Sequence, residues 1–139
     1  MADLYLVRHG QTELNVQNIL QGWQDSPLTE RGREQALATR AAFEARGISF
    51  DHAYTSPLGR ARHTAELIVG ENLPIEPVDD LREWRLGTLE GTSNRVLAVS
   101  HGSACQEFLR CVTGGGEQPD NGAVLHFGYC DGAFSLLDW

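Results

Sequence analysis

Apolar residues gather in short runs that stop abruptly on polar groups. Leu4 to Val7 is continuously apolar and ends at Arg8, His9 and Gly10; Val96 to Val99 does the same and ends at Ser100, His101 and Gly102. Runs this short and unbroken predict strands covered by helices on both faces, because a strand with one wet face would alternate. Between them the period changes. After a polar loop, GWQDSPLTERG, Thr29 is the expected N-cap of a helix through about Arg46. Ala36, Leu37, Ala41 and Phe43 supply its apolar positions, and Gly47 its stop. A strand at about Ala53 to Thr55 comes next, then SPLGRARHTAELIVG. There Ser56 is expected as N-cap, Pro57 at the first helical position and Gly70 beyond the end. PIEPV is a further strand candidate, and RVLAVS leads into a helix from about Ser103 to Val112 that stops before TGGG. AVLHFGY and AFSLLDW, joined by CDG, predict a closing hairpin.

Strands alternating with helices imply an α/β fold, a three-layer sandwich around a mostly parallel sheet. In such sheets ligands sit beyond the carboxyl ends of the strands. His9 and His101 each come directly after a buried strand, so both are expected on that edge. Arg60, in the first turn of the helix after the second strand, should project there too. The 139 residues, 41% of them apolar, suit one domain over residues 1–139 and are too few for two comfortable cores.

Charge then narrows the partners. A net charge of −8 argues against nucleic acid or an anionic membrane as partner. All eleven basic residues are arginine, which excludes Schiff-base lysine chemistry and a Walker-type phosphate lysine. Cys105, Cys111 and Cys130 show no C-x-x-C spacing and read as reduced, half-buried side chains. MADLYLV carries no basic leader, and no apolar stretch approaches the ~20 residues that span a bilayer. A soluble, cytoplasmic protein is the expectation.

Arg8, His9, Arg60 and His101 would place two guanidiniums and two imidazoles around one space. The guanidinium fork suits phosphate oxygens, and a helix N-terminus adds to the same pull. Histidine is both nucleophilic and neutral near physiological pH. Phosphoryl transfer through a phosphohistidine is therefore coherent chemistry for this rim.

LVRHGQTELN, YTSPLGRARHTAELI, LREWRLGTLEG and LAVSHG, in that order, resemble the signatures of the histidine phosphatase (phosphoglycerate mutase-like) superfamily. The resemblance spans about two-thirds of the chain and implies that superfamily's fold. It implies His9 as the nucleophile that becomes phosphorylated, with Arg8, Arg60 and His101 around the transferring group. Asn15 and Gly102 would complete the substrate-binding set. Glu83 would protonate the leaving group and then activate water; only the resemblance singles it out from Asp79, Asp80 and Glu90. The resemblance implies no metal and no cofactor, and the sequence has no H-x-H or H-E-x-x-H pattern. His52 and His126 read as structural or solvent-facing, His63 and Arg62 as helix-surface residues, and Trp23 and Trp84 as packing or pocket-mouth residues.

One departure bears on function. The superfamily places a long helical segment between its EG and SHG motifs, and here only Thr92, Ser93, Asn94 and Arg95 separate Gly91 from Val96. The basic residues with which the mutase branch holds a bisphosphate-sized ligand cannot be carried over. The expected function is thus a metal-independent phosphomonoesterase acting on a small phosphorylated metabolite. The alternatives are a mutase of the same superfamily and a truncated or engineered, catalytically weak phosphate-binding scaffold. Sugar phosphates, nucleotides, phosphoglycerate and cofactor-precursor phosphates all remain open as substrates. A missing crossover helix would also bare an apolar sheet face, so a homodimer covering it is expected.

Overall fold

A computed structural model describes residues 2–19, 24–79 and 95–139. Among these residues the strands are β1 (Ala2–Arg8), β2 (His52–Thr55), β3 (Ile75–Pro77), β4 (Arg95–Ser100), β5 (Val124–Cys130) and β6 (Ala133–Leu137). They form one sheet in the order β3-β2-β4-β1-β5-β6. The first four positions in that order are parallel, and β5 and β6 close the sheet antiparallel. The helices are α1 (Glu13–Val16), α2 (Glu30–Ala45), α3 (Gly59–Val69) and α4 (Gly102–Thr113).

The period of two in each strand sorts the core into two layers. Tyr5, Val7, Ala53, Leu97 and Val99 face Ala36 and Phe43 of α2 and Ala61, Ala65 and Ile68 of α3. Leu4, Leu6, Val96, Ala98 and Phe127 face Cys105, Phe108, Leu109 and Val112 of α4. The unbroken apolar runs thus correspond to the two central strands, each covered on both sides.

Register is what matters for the site. Arg8 lies opposite Ser100 in the β1–β4 pair, so His9 and His101 leave the sheet side by side. The His9 N–H donates to Ser100 O at 2.9 Å and carries the ladder one step past the strands.

Several expectations change. Ser56 does not cap α3, which begins at Gly59 with Leu58 as N-cap and no side-chain cap bond. The Ser56 hydroxyl accepts from Leu58 N at 3.4 Å but is mainly committed elsewhere, to His101. Thr29 does cap α2, accepting from Gly32 N at 3.0 Å. The one-turn α1 stands where no helix is expected; its signal is the reciprocal capping box of Thr12 and Asn15. No cysteine is half-buried: Cys105 is buried, and Cys111 and Cys130 are exposed. The closing turn uses Asp131 and Gly132 with φ of 50° and 81°, the pair of left-handed residues that a tight hairpin demands.

The ground for the expected homodimer weakens at β4. Val96 to Val99 are at most 1% exposed within the single chain, so that strand offers no bare apolar face. At the β2–β3 edge the surface is mixed, with Tyr54 half-buried beside exposed His52 and Glu76. Among the described residues no helix is long and apolar enough to cross a membrane. Glu83, Trp23, Trp84 and the Thr92–Asn94 junction lie outside the described residues.

Candidate active site

Four of the expected side chains converge at the carboxyl edge of the sheet. His9 comes directly after β1 and is 3% exposed. His101 comes directly after β4, and the two imidazole centroids lie 5.3 Å apart. Arg8 ends β1, and Arg60, 4% exposed, sits in the first turn of α3. Gly102 opens α4 and is buried, with Arg8 Nε 2.8 Å from where a Cβ would stand. A side chain there would push into the guanidinium, so only glycine lets α4 begin so close to Arg8.

The His9 ring has a defined tautomer. Nδ1 lies 2.8 Å from Gly10 O, an acceptor only, so Nδ1 carries the hydrogen and Nε2 keeps its lone pair. Burial, chiefly, holds the His9 pKa down at about 3, against the opposing Gly10 hydrogen bond; His101, Arg60 and Arg8 lower it further. Burial, then Arg60, likewise holds His101 at about 4. Both rings are neutral at pH 7.

His101 Nε2 is 2.7 Å from Ser56 Oγ. Ser56 Oγ also accepts from Leu58 N and, having two lone pairs, can either give its hydrogen to His101 Nε2 or accept one from it. This contact therefore fixes the place of the His101 ring and leaves both neutral tautomers open to it. Arg8 Nη1 donates to Pro119 O at 2.6 Å. Arg60 Nη1 donates to Gln24 O at 2.6 Å and to Asp25 Oδ1 at 3.2 Å. Arg8 Nε, Ser100 Oγ and His101 Nδ1 are buried without a hydrogen-bond partner among the described residues. Buried polar atoms are rarely left so, and these three belong to residues at the carboxyl ends of the adjacent strands β1 and β4, where a bound anion would give the donors among them an acceptor. Among the described residues no group of three His, Cys, Asp or Glu side chains could hold a metal ion.

The carbonyl that fixes His9 is itself held tightly. A Cβ on Gly10 would overlap Gly32 O, and one on Gly32 would overlap Gln11 O. The first turn of α2 therefore packs backbone to backbone against the residues after His9. Gly10 N donates to the buried Thr64 Oγ1 at 3.1 Å, and that hydroxyl donates to Arg60 O at 2.8 Å. The strand end bearing His9 and the helix bearing Arg60 are thereby tied together.

Asn15 is linked to this group through Asn121: its Oδ1 accepts from Thr12 N at 3.0 Å and from Asn121 Nδ2 at 3.3 Å. His126 is structural, bridging Asp3 Oδ1 at 3.0 Å and Asp138 O while stacked on Tyr5. Sequence reading misses Asp25, Ser56, Thr64 and Asn121 as parts of the site. Ser56 reads as a helix cap, and Thr64, one turn after Arg60, carries a usable signal. Asp25 and Asn121 sit in polar loops whose contacts are 35 and 112 residues distant.

Comparison with known proteins bears on the family and the fold. A 2,3-bisphosphoglycerate-dependent phosphoglycerate mutase of Bradyrhizobium diazoefficiens is 47% identical over 92 residues, covering 63% of this chain and 44% of that protein. A broad-specificity phosphatase of Saccharomyces cerevisiae is 40% identical over 106 residues, 71% of this chain and 46% of that one. The chain thus spans less than half the length of these curated relatives. A phosphoglycerate mutase structure from Bacillus anthracis, 20% identical, superposes with a TM-score of 0.83 over 99% of this chain and 92% of the other; at that identity the likeness is one of fold. The pattern of the histidine phosphatase superfamily (branch 1) matches residues 4–121, and the chain belongs to that superfamily.

Proposed function

We propose that the chain is a metal-independent phosphomonoesterase that hydrolyses a small phosphorylated metabolite through a phosphohistidine. The observation that carries the reading is the His9 ring: buried, neutral, and fixed with its Nε2 lone pair available between Arg8, Arg60 and His101. An imidazole held neutral needs no base to become a nucleophile.

In the first step His9 Nε2 attacks phosphorus, the N–P bond forms and the bond to the leaving oxygen breaks. Arg8, Arg60, His101 and the N-terminus of α4, whose N-cap His101 makes no side-chain cap bond, spread the charge on the phosphoryl oxygens. The leaving oxygen takes a proton from Glu83. In the second step water gives a proton to the Glu83 carboxylate and attacks phosphorus, the N–P bond breaks, and inorganic phosphate departs. His9 and Glu83 return to their starting states.

The direct test is turnover of p-nitrophenyl phosphate with EDTA present, together with acid-sensitive, base-stable trapping of the phosphoprotein. Absence of any trapped species during steady turnover would overturn the reading. The similarity to a mutase favours a second reading, transfer of the phosphoryl group to phosphoglycerate instead of water. Net formation of 2-phosphoglycerate from 3-phosphoglycerate in the presence of 2,3-bisphosphoglycerate would select it.

Two predictions belong here. Glu83→Gln should slow an alkyl phosphate about 10²-fold or more and p-nitrophenyl phosphate far less, because p-nitrophenolate departs without a proton. Equal losses on both substrates would move the acid to another residue. With His9 held at about 3, kcat/KM should hold or rise as the pH falls from 7 to about 5, whereas a nucleophile of ordinary pKa would lose about 25-fold. An acid limb centred near 6.5 would show that His9 titrates as an exposed histidine does. Stability has its own sign. The unfolded chain takes up protons at these histidines below about 6.5. The folded chain refuses them until about 4 and 3. Unfolding free energy is therefore unaffected above that window and falls as the pH drops through it.

A further inference from the structure

The peptide joining His9 to Gly10 is gripped at both ends by side chains from distant parts of the chain. Its N–H, on Gly10, donates to Thr64 Oγ1 at 3.1 Å. Its C=O, on His9, accepts from Asn121 Nδ2 at 3.0 Å and more weakly from Gly122 N at 3.3 Å. The orientation of that peptide matters, because the next carbonyl along, Gly10 O, accepts the ring hydrogen of His9 at 2.8 Å. A tilt of the peptide would swing Gly10 O away from Nδ1 and release both the ring and its tautomer.

We propose that Asn121 is a positioning residue of the site, tying the His9 carbonyl to the capping box of α1 and so fixing where the nucleophilic ring stands. The proposal rests on the phosphohistidine reading for its consequence in catalysis, though not for its geometry. Asn121 Nδ2 reaches two acceptors, His9 O and Asn15 Oδ1 at 3.3 Å, and a flipped amide would set its own oxygen against both. Asn15 Oδ1 in turn accepts from Thr12 N at 3.0 Å, and Thr12 Oγ1 accepts from Asn15 N at 3.2 Å. One amide group therefore joins the nucleophile's main chain to the short helix just beyond it.

The neighbours of Asn121 act in the same direction. Pro119 O accepts from Arg8 Nη1 at 2.6 Å, and Gly122 N donates to Arg8 O at 3.1 Å. Arg8 N donates to Ala123 O at 3.1 Å. Residues 119–123 thus hold the Arg8–His9 pair from the β5 side, as Thr64 holds it from the α3 side. Gly122 N is shared between the Arg8 and His9 carbonyls, so it cannot replace the Asn121 amide at full strength.

The test compares Asn121→Asp, which keeps the shape and removes the donor, with Asn121→Ala and with Asn121→Ser, which keeps a shorter donor. Imidazole ¹⁵N NMR at pH 7 should show one His9 tautomer, Nδ1–H, in the unsubstituted chain and a tautomer mixture in the Asp and Ala variants. Phosphoenzyme formation from p-nitrophenyl phosphate should fall about 10- to 100-fold with KM changed less than about threefold, as a misplaced nucleophile predicts. The Ser variant should recover part of both. Variants that melt earlier yet keep the tautomer and the phosphorylation rate per folded molecule would overturn the proposal and leave Asn121 a loop-closing residue. If the unsubstituted chain forms no phosphohistidine, the catalytic reading fails, while the tautomer comparison still decides the role of Asn121.

Discussion

Replacing His9 with alanine is expected to abolish the trapped phosphoenzyme and to lower kcat by about 10⁴-fold or more, the scale on which removal of a covalent nucleophile acts. The groups left in place explain the size. Arg8, Arg60 and His101 would still gather a phosphate, but water would have to attack without the N–P intermediate that divides the reaction in two. Phosphate-analogue binding should therefore survive: orthovanadate affinity should change by less than about tenfold, since electrostatic contacts outlast the nucleophile. The fold should survive as well. The variant leaves Gly10 O without the Nδ1–H donor, a cost of about 1–3 kcal/mol. It also removes an imidazole that resists protonation when folded, so the variant should lose less stability in acid than the parent does. Circular dichroism and vanadate titration separate a missing nucleophile from a collapsed pocket. Residual turnover of even a tenth of the parent rate would show that the phosphoryl group never resides on His9.

The parts of this site legible in the sequence are those that local rules determine. An apolar run covered on both faces must become a central parallel strand, and the residues just after it must emerge at the carboxyl edge. That is why His9, His101 and, with the helix after β2, Arg60 can be placed together from the sequence. Register is not legible: nothing local states that Arg8 stands opposite Ser100. Long-range contacts are hidden for the same reason. Thr64 reaches Gly10 across 54 residues, and Asn121 reaches His9 across 112. Ser56 misleads because the local role of a serine before proline competes with a partner 45 residues away. Its hydroxyl can cap a helix or turn to another partner, and the half-buried imidazole of His101, 2.7 Å away, is the better partner. The expected bare face does not fall on β4, because α2 and α3 cover one side of that strand and α4 the other, all three of them helices legible in the sequence.

Gly32→Ala should be strongly destabilising, although helix propensity alone predicts a gain of about 1 kcal/mol for alanine over glycine inside a helix. Gly32 lies in the first turn of α2, where its N–H donates to the N-cap Thr29 at 3.0 Å. The propensity argument assumes open space around the new methyl group. Here it would overlap the carbonyl oxygen of Gln11 and lie 2.9 Å from the nitrogen of the same residue. Both are backbone atoms and cannot rotate aside. Relief requires moving either α2, whose Ala36 and Phe43 are buried against the sheet, or the strand end that carries His9. Overpacking costs about 1–3 kcal/mol, and an overlap with backbone atoms that cannot rotate aside belongs at the top of that range; less the propensity gain, the net effect should be a loss of about 2 kcal/mol, read as a lower urea midpoint at unchanged slope. Gly115→Ala is the control, since nothing lies within 4 Å of its Cβ position. It should leave the midpoint unchanged. Activity should separate the variants further: shifting Gln11 shifts Gly10 O, the acceptor that holds Nδ1 of His9. The Gly32 variant should therefore lose kcat even at temperatures where it is fully folded. A Gly32→Ala protein as stable as its parent would mean that α2 and the residues after His9 can part by about an ångström at no cost, and that this contact does not fix the ring.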